Sequence, residues 1–143
     1  MLNIFRKVPV YVKIYHDKIE ITNINTQQTI SKTSTAKFSS NRLLVAEFNV
    51  AEMLIREILK ELGLSGRTLK ILIQQMKGFE DGLSEVEKRV LRDLAEQAGG
   101  AAVYIINRTK IMSAEEIQGF LNLKSSDFQV QGNKESEYPF ISR

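Results

Sequence analysis

The sequence predicts an α/β domain, a mixed sheet with helices on both of its faces. Three observations carry that expectation. Two short and nearly uniformly apolar runs, residues 69–73 (Leu-Lys-Ile-Leu-Ile) and 101–106 (Ala-Ala-Val-Tyr-Ile-Ile), flank an amphipathic stretch at 84–99. Strands covered by helices on both faces have this composition, and two parallel neighbours need a crossover of this length, right-handed by rule. Upstream, residues 8–15 and 18–24 alternate between apolar and polar side chains, the period of half-buried strands. A second amphipathic stretch, 49–62, then precedes the first apolar run, which extends the alternation of strand and helix.

Each element has a local justification. Val8, Val10, Val12 and Ile14 face one way and Tyr11, Lys13 and Tyr15 the other. His16-Asp17 is read as a tight turn into the second strand, making an antiparallel hairpin. Residues 25–40 are polar and rich in Thr, Ser and Gln; 29–33 is expected as a third, edge strand and the remainder as loop. The short apolar piece 43–46 leads into the first helix, with Asn49 as N-cap, Glu52 three residues on and Gly63 past its end. Val50, Leu54, Ile58 and Leu62 form its inner stripe, flanked by Met53, Ile55 and Leu59; Met53 is expected in the core.

Residues 64–68 turn the chain into the next strand. A loop at 74–83 containing Gly78 and Gly82 ends at Ser84, which with Glu87 makes a capping box. Val86, Val90, Leu94 and Ala98 fall four apart, with Leu91 and Ala95 beside them, and Gly99 supplies the left-handed C′ position. Another capping box, Ser113 with Glu116, opens a last helix whose apolar side is Ile117, Phe120 and Leu121. Residues 1–123 therefore form one domain, and 124–143 read as a polar tail anchored by Phe128 or by Tyr138 and Phe140.

Composition narrows the chemistry. The chain has 143 residues, no cysteine, one histidine and a net charge of +3 with acids and bases interspersed. Without cysteine there is no disulfide framework, thiol nucleophile or Cys-based zinc site. A lone His16, read as a turn residue, gives little support to a triad or a His-based metal centre. There is no basic stripe, which disfavours nucleic acid as a partner. No apolar run reaches the roughly 20 residues of a membrane span, and no secretory leader is recognisable, so a cytoplasmic location is expected. At the N-terminus, Leu2, Ile4 and Phe5 followed by Arg6 and Lys7 suit peripheral contact with an anionic membrane surface.

The order strand, strand, strand, helix, strand, helix, strand, helix is that of the ribonuclease-H-like fold, which also builds each half of the actin-like ATPases. Residues 44–54 (Leu-Val-Ala-Glu-Phe-Asn-Val-Ala-Glu-Met-Leu) resemble the stretch entering the first long helix of the MreB family of bacterial actin-like rod-shape proteins. Residues 85–106, from Glu-Val-Glu-Lys-Arg-Val through Gly-Gly-Ala-Ala-Val-Tyr-Ile-Ile, are similar to that family's Val-Glu-Arg-Arg helix, Gly-Ala turn and following strand. Met1-Leu2 with Phe5-Arg6 looks like the membrane-contacting N-terminus of some members. The resemblance covers roughly residues 1–120 and implies an actin-like half-domain linked to bacterial cell shape.

The departures from the family decide what to expect of its activity. Its Asp-Leu-Gly-Thr phosphate turn is replaced by Tyr15-His16-Asp17-Lys18, without a glycine that lets phosphate approach the backbone. Its Glu-Glu-Pro turn is replaced by Asn107-Arg108-Thr109-Lys110, the inserted subdomain is cut down to about 33–42, and the second lobe has no counterpart. Residues 10–14 hold no acid, whereas two-metal nucleases of this fold need carboxylates on that strand. Glu20 and Glu47 are expected to be solvated edge acids. Glu80 and Asp81 lack calcium-loop spacing. No catalytic, cofactor or metal residue is assigned and no cofactor is expected. The expected function is a non-catalytic module whose partner is another protein or its own copy. The alternative is a degenerate relative retaining nucleotide or nucleic-acid binding through Lys70, Lys77, Arg108 and Lys110, clustered at the strand ends where open α/β sheets bind ligands.

Overall fold

The computed structural model describes residues 7–77 and 82–122 and the backbone of 140–141. Strictly alternating apolar side chains form β1 (Val8–Tyr15) and β2 (Lys18–Asn23), joined at His16-Asp17, and β3 (Gln28–Thr33) extends the meander. Then follow α1 (Phe48–Glu61), β4 (Leu69–Gln75), α2 (Glu85–Gln97), β5 (Gly100–Ile106), α3 (Ala114–Leu121) and a short β6 (Phe140–Ile141). The sheet runs in the order β3-β2-β1-β4-β5-β6. β1 pairs antiparallel with β2 and parallel with β4, and β4 pairs parallel with β5. The two apolar runs lie side by side, Ile71 against Val103 and Ile73 against Ile105. β6 pairs antiparallel with β5, so part of the predicted tail belongs to the sheet. Leu2, Ile4, Phe5, Arg6, Glu80, Asp81, Phe128 and Tyr138 lie outside the described residues.

Alternation along the strands sorts side chains into two cores. Val8, Val10, Val12 and Ile14 join Ile71, Ile73, Val103 and Ile105 under α1 and α2. Tyr11, Leu72, Tyr104 and Ile106 lie on the opposite face, where Ile117, Phe120 and Leu121 of α3 pack against them. Arg56 ties the two helices of the larger core together by donating to the Gln97 carbonyl at 2.9 Å. Beyond the reach of α3, the second face of β1 and β2 is polar: Lys13 pairs across the strands with Glu20 at 2.9 Å and lies over the Tyr11 ring. Glu20 therefore has a structural partner.

Helix phases differ from the sequence reading in three places. The N-cap of α1 is Glu47, with no side-chain cap, instead of Asn49. Its entry is fixed by tertiary contact, since the Phe38 carbonyl accepts from the amides of Ala46 and Glu47. Met53 is 70% exposed, a correction to the expected core position; the buried arc of α1 is Ala51, Leu54, Ile55, Ile58 and Leu59. In α2 the buried stripe is Leu91, Leu94 and Ala95 with Glu87, while Val86 is 69% exposed. A helix wrapped in apolar residues over more than half its girth has several admissible phases, and the sheet below selects one. Both capping boxes form as the spacing predicts. Gly99 adopts φ +111, and a Cβ there would lie 3.2 Å from the Arg67 carbonyl oxygen.

Candidate functional site

The carboxyl ends of β1, β4 and β5 are where an open α/β sheet presents ligand groups. At the end of β1, Asp17 takes a left-handed backbone, φ +55, which a short polar side chain tolerates better than most. Its carboxylate accepts the amides of Ser39 at 2.8 Å and Phe38 at 2.9 Å, and its own N–H donates to Ser39 Oγ at 2.9 Å. The Ser39 amide, followed by that of Phe38, holds the Asp17 carboxyl below the usual carboxylate range. Phe38 is fully buried in the larger core. The segment 38–47 is thereby folded over the turn, where the sequence reading has only loop.

The other two ends are tied in the same way. Gln75 is buried and donates to Glu87 at 3.2 Å and to the Lys77 carbonyl at 3.0 Å. The second oxygen of Glu87 closes the α2 capping box on Ser84. Asn107, just past β5, accepts the Leu83 amide at 2.9 Å. Gln74 donates to the carbonyls of Arg108 and Lys110 at 2.9 and 2.7 Å and accepts from the Tyr11 hydroxyl, which in turn accepts the Met112 amide at 3.2 Å. Burial pushes the Tyr11 hydroxyl pKa up. These side chains join strands, helix starts and loops to one another. A cavity of about 150 Å³ is left beside them, lined by His16, Arg42, Leu44, Gln75, Lys77 and Glu87.

The proposed basic cluster does not assemble around it. Lys70 is the second residue of β4 and Lys77 lies two residues past its last, about 20 Å apart along an extended chain. Lys70 lies over the Tyr104 ring and donates to the Leu121 carbonyl at 2.7 Å; burial lowers its pKa. Arg108 is paired with Glu116, and Lys110 is exposed. Of the four, Lys77 alone lines the carboxyl-end cavity, and Arg42, which the sequence reading did not single out, joins it. Lys7 is exposed just before β1. Among the described residues no three His, Cys, Asp or Glu side chains converge as metal ligands, and no helix is long and apolar enough to cross a membrane.

Among the described residues the β3 edge is also open. Ile30 packs on the larger core, and Lys32 reaches over α1 to Glu57 at 2.7 Å and to Glu61. Beside it runs a groove of about 200 Å³ lined by Lys32, Ser34, Ala36, Val50, Met53 and Glu57. Thr29, Ser31 and Thr33 are exposed.

The chain is 28% identical over 92 residues to a protein of Escherichia coli (strain K12) that bears the name "Uncharacterized protein YjaA". The alignment spans 59% of this chain and 71% of that protein. No family model matches the chain, and no solved structure matches it. At the carboxyl ends of the strands Asp17, Gln74, Gln75 and Asn107 are engaged within the chain, and among the described residues β3 has no strand on its outer side.

Proposed function

We propose that this chain is a non-catalytic, actin-like half-domain that works as a protein-interaction module, with β3 and the adjoining flank of α1 as its docking surface. The reading is supported by the element order and by a sheet of order β3-β2-β1-β4-β5, in which two antiparallel pairings are followed by two parallel ones, together with the resemblance of residues 44–54 and 85–106 to the MreB family. The observation that carries the reading is Asp17. The acid at the β1 turn accepts two backbone amides of 38–39 and so works as a fastener for that segment. An unpaired strand edge, by contrast, offers main-chain hydrogen bonds to an incoming strand. A link to bacterial cell shape follows from the family resemblance, as does peripheral membrane contact through Leu2, Ile4, Phe5, Arg6 and Lys7.

A thermal-shift titration tests the non-catalytic half of this proposal. ATP with magnesium, and separately single-stranded DNA, are expected to leave the melting temperature unchanged. A ligand bound by the native state at 100-fold excess over Kd adds about 2.7 kcal/mol, so stabilisation of that size would overturn it. For the membrane contact, liposome pelleting compares the whole chain with one starting at Val8. Loss of anionic-vesicle binding in the shorter chain is the expected result, and equal partitioning refutes it.

A further inference from the structure

We propose that the β3 edge receives a second copy of this chain, antiparallel, on a two-fold axis through Ser31. The inference rests on the interaction-module reading and names its partner. Ladder parity comes first. The Ser34 amide donates to the Asp17 carbonyl at 2.8 Å, and the β2–β3 register pairs Thr33 with Lys18, Lys32 with Ile19 and Ser31 with Glu20. Backbone groups alternate sides along an antiparallel strand. Those of Lys32, Ile30 and Gln28 therefore point to β2, and those of Thr29, Ser31 and Thr33 point out of the sheet. The 2.7 Å approach of the Thr22 and Thr29 hydroxyls is the close side-chain contact of a non-hydrogen-bonded pair and gives the same parity.

A second β3 matches this pattern. With Ser31 opposite Ser31, Thr29 stands opposite Thr33 and Thr33 opposite Thr29. Each of these pairs exchanges two hydrogen bonds, so every outward N–H and C=O of both strands is satisfied. A register displaced so that Ile30 faces Ile30 leaves Thr33 without a partner inside the strand. In the Ser31-centred register Lys32 faces Ile30 rather than its own copy, and its charge is already held by Glu57 and Glu61. Hydroxyls meet hydroxyls across the outer face, a favourable cross-strand pairing. Rotation about an axis perpendicular to the sheet keeps both α1 helices on one side and brings the Val50–Met53 flanks toward each other. That gives Met53, 70% exposed beside the groove, an apolar neighbour. β3 has no proline, its ladder with β2 has no register shift, and its one charged side chain, Lys32, is drawn over α1 by Glu57 and Glu61.

The chain's lack of cysteine makes the test clean. The unsubstituted 143-residue chain is expected to show a reversible monomer–dimer equilibrium by sedimentation velocity between low micromolar and near-millimolar concentration. Ser31→Cys places two thiols across a hydrogen-bonded pair, whose Cα separation of about 5.5 Å suits a disulfide; Thr29→Cys does not bring its two copies together, so its oxidised dimer should form roughly tenfold less. Mixing Thr29→Cys with Thr33→Cys should restore the cross-link. Ser31→Pro removes an outward amide while leaving the β2 ladder intact, and is expected to give a folded monomer by circular dichroism. The proposal is overturned if wild type stays monomeric throughout, if the dimer survives Ser31→Pro, or if the two single cysteines cross-link equally. A monomeric wild type whose capture of another protein depends on Ser31 would refute the second copy while sparing the broader module. Capture indifferent to Ser31→Pro as well would sink both.

Discussion

Phe38→Ala tests whether the segment 34–47 is part of the fold or a loop resting on it. Phe38 is completely buried in the larger core, its amide donates to Asp17, and its carbonyl accepts the amides of Ala46 and Glu47 just before α1. The substitution keeps both backbone groups and deletes the ring. Truncating a fully buried Phe to Ala costs about 3–5 kcal/mol from lost transfer energy and the cavity left behind. In a domain of this size that lowers the melting temperature by roughly 10 °C. Urea unfolding followed by circular dichroism reads the free energy directly, and an unchanged m-value shows that the loss is in stability and not in compactness. A loss under about 1 kcal/mol would place Phe38 in a site that collapses freely or is not docked at all. The carboxyl end of β1 would then be open, and the argument that Asp17 is a fastener would fail.

Three further expectations concern the same polar ties. Asp17→Asn should leave the turn in place but weaken its hold on 38–39, so hydrogen exchange at the Phe38 and Ser39 amides should accelerate; unchanged protection counts against the fastener role. Because the folded Asp17 carboxyl lies below its ordinary value, its contribution is present above the unfolded carboxylate range and is lost as pH falls. Gln74→Leu strands the carbonyls of Arg108 and Lys110 and the Tyr11 hydroxyl, at roughly 1–3 kcal/mol for a buried group left unsatisfied, read by urea unfolding; a neutral result would mean that water replaces the amide. The Arg108 guanidinium beside Glu116 holds that carboxyl at about 2, below its ordinary 4.5. Stability from this pair should therefore be complete above about 4.5 and fade as the solution is acidified toward 2. An NMR titration of Glu116 in wild type and in Arg108→Ala checks it, with an unshifted wild-type midpoint the refuting result.

Much of the fold is legible in the residues themselves. Period-two alternation at 8–15 and 18–24 marks the hairpin and decides which side chains enter the larger core. Apolar runs too short for helices mark the parallel centre, and two Ser–x–x–Glu boxes mark helix starts to the residue. These features act over a few neighbouring positions, so the chain states them wherever it lies.

Tertiary structure alone decided the rest, because the competing states are locally degenerate. Met53 and Leu54 are adjacent apolar residues on one broad helical stripe, and only the sheet beneath α1 determines which is buried. Phe38 sits in a polar segment without period, and its burial depends on a turn more than twenty residues earlier. Lys70 and Lys77 read as neighbours in charge, yet a strand's length separates them. The outward direction of the Ser31 backbone groups follows from the register with β2, which an isolated strand does not possess.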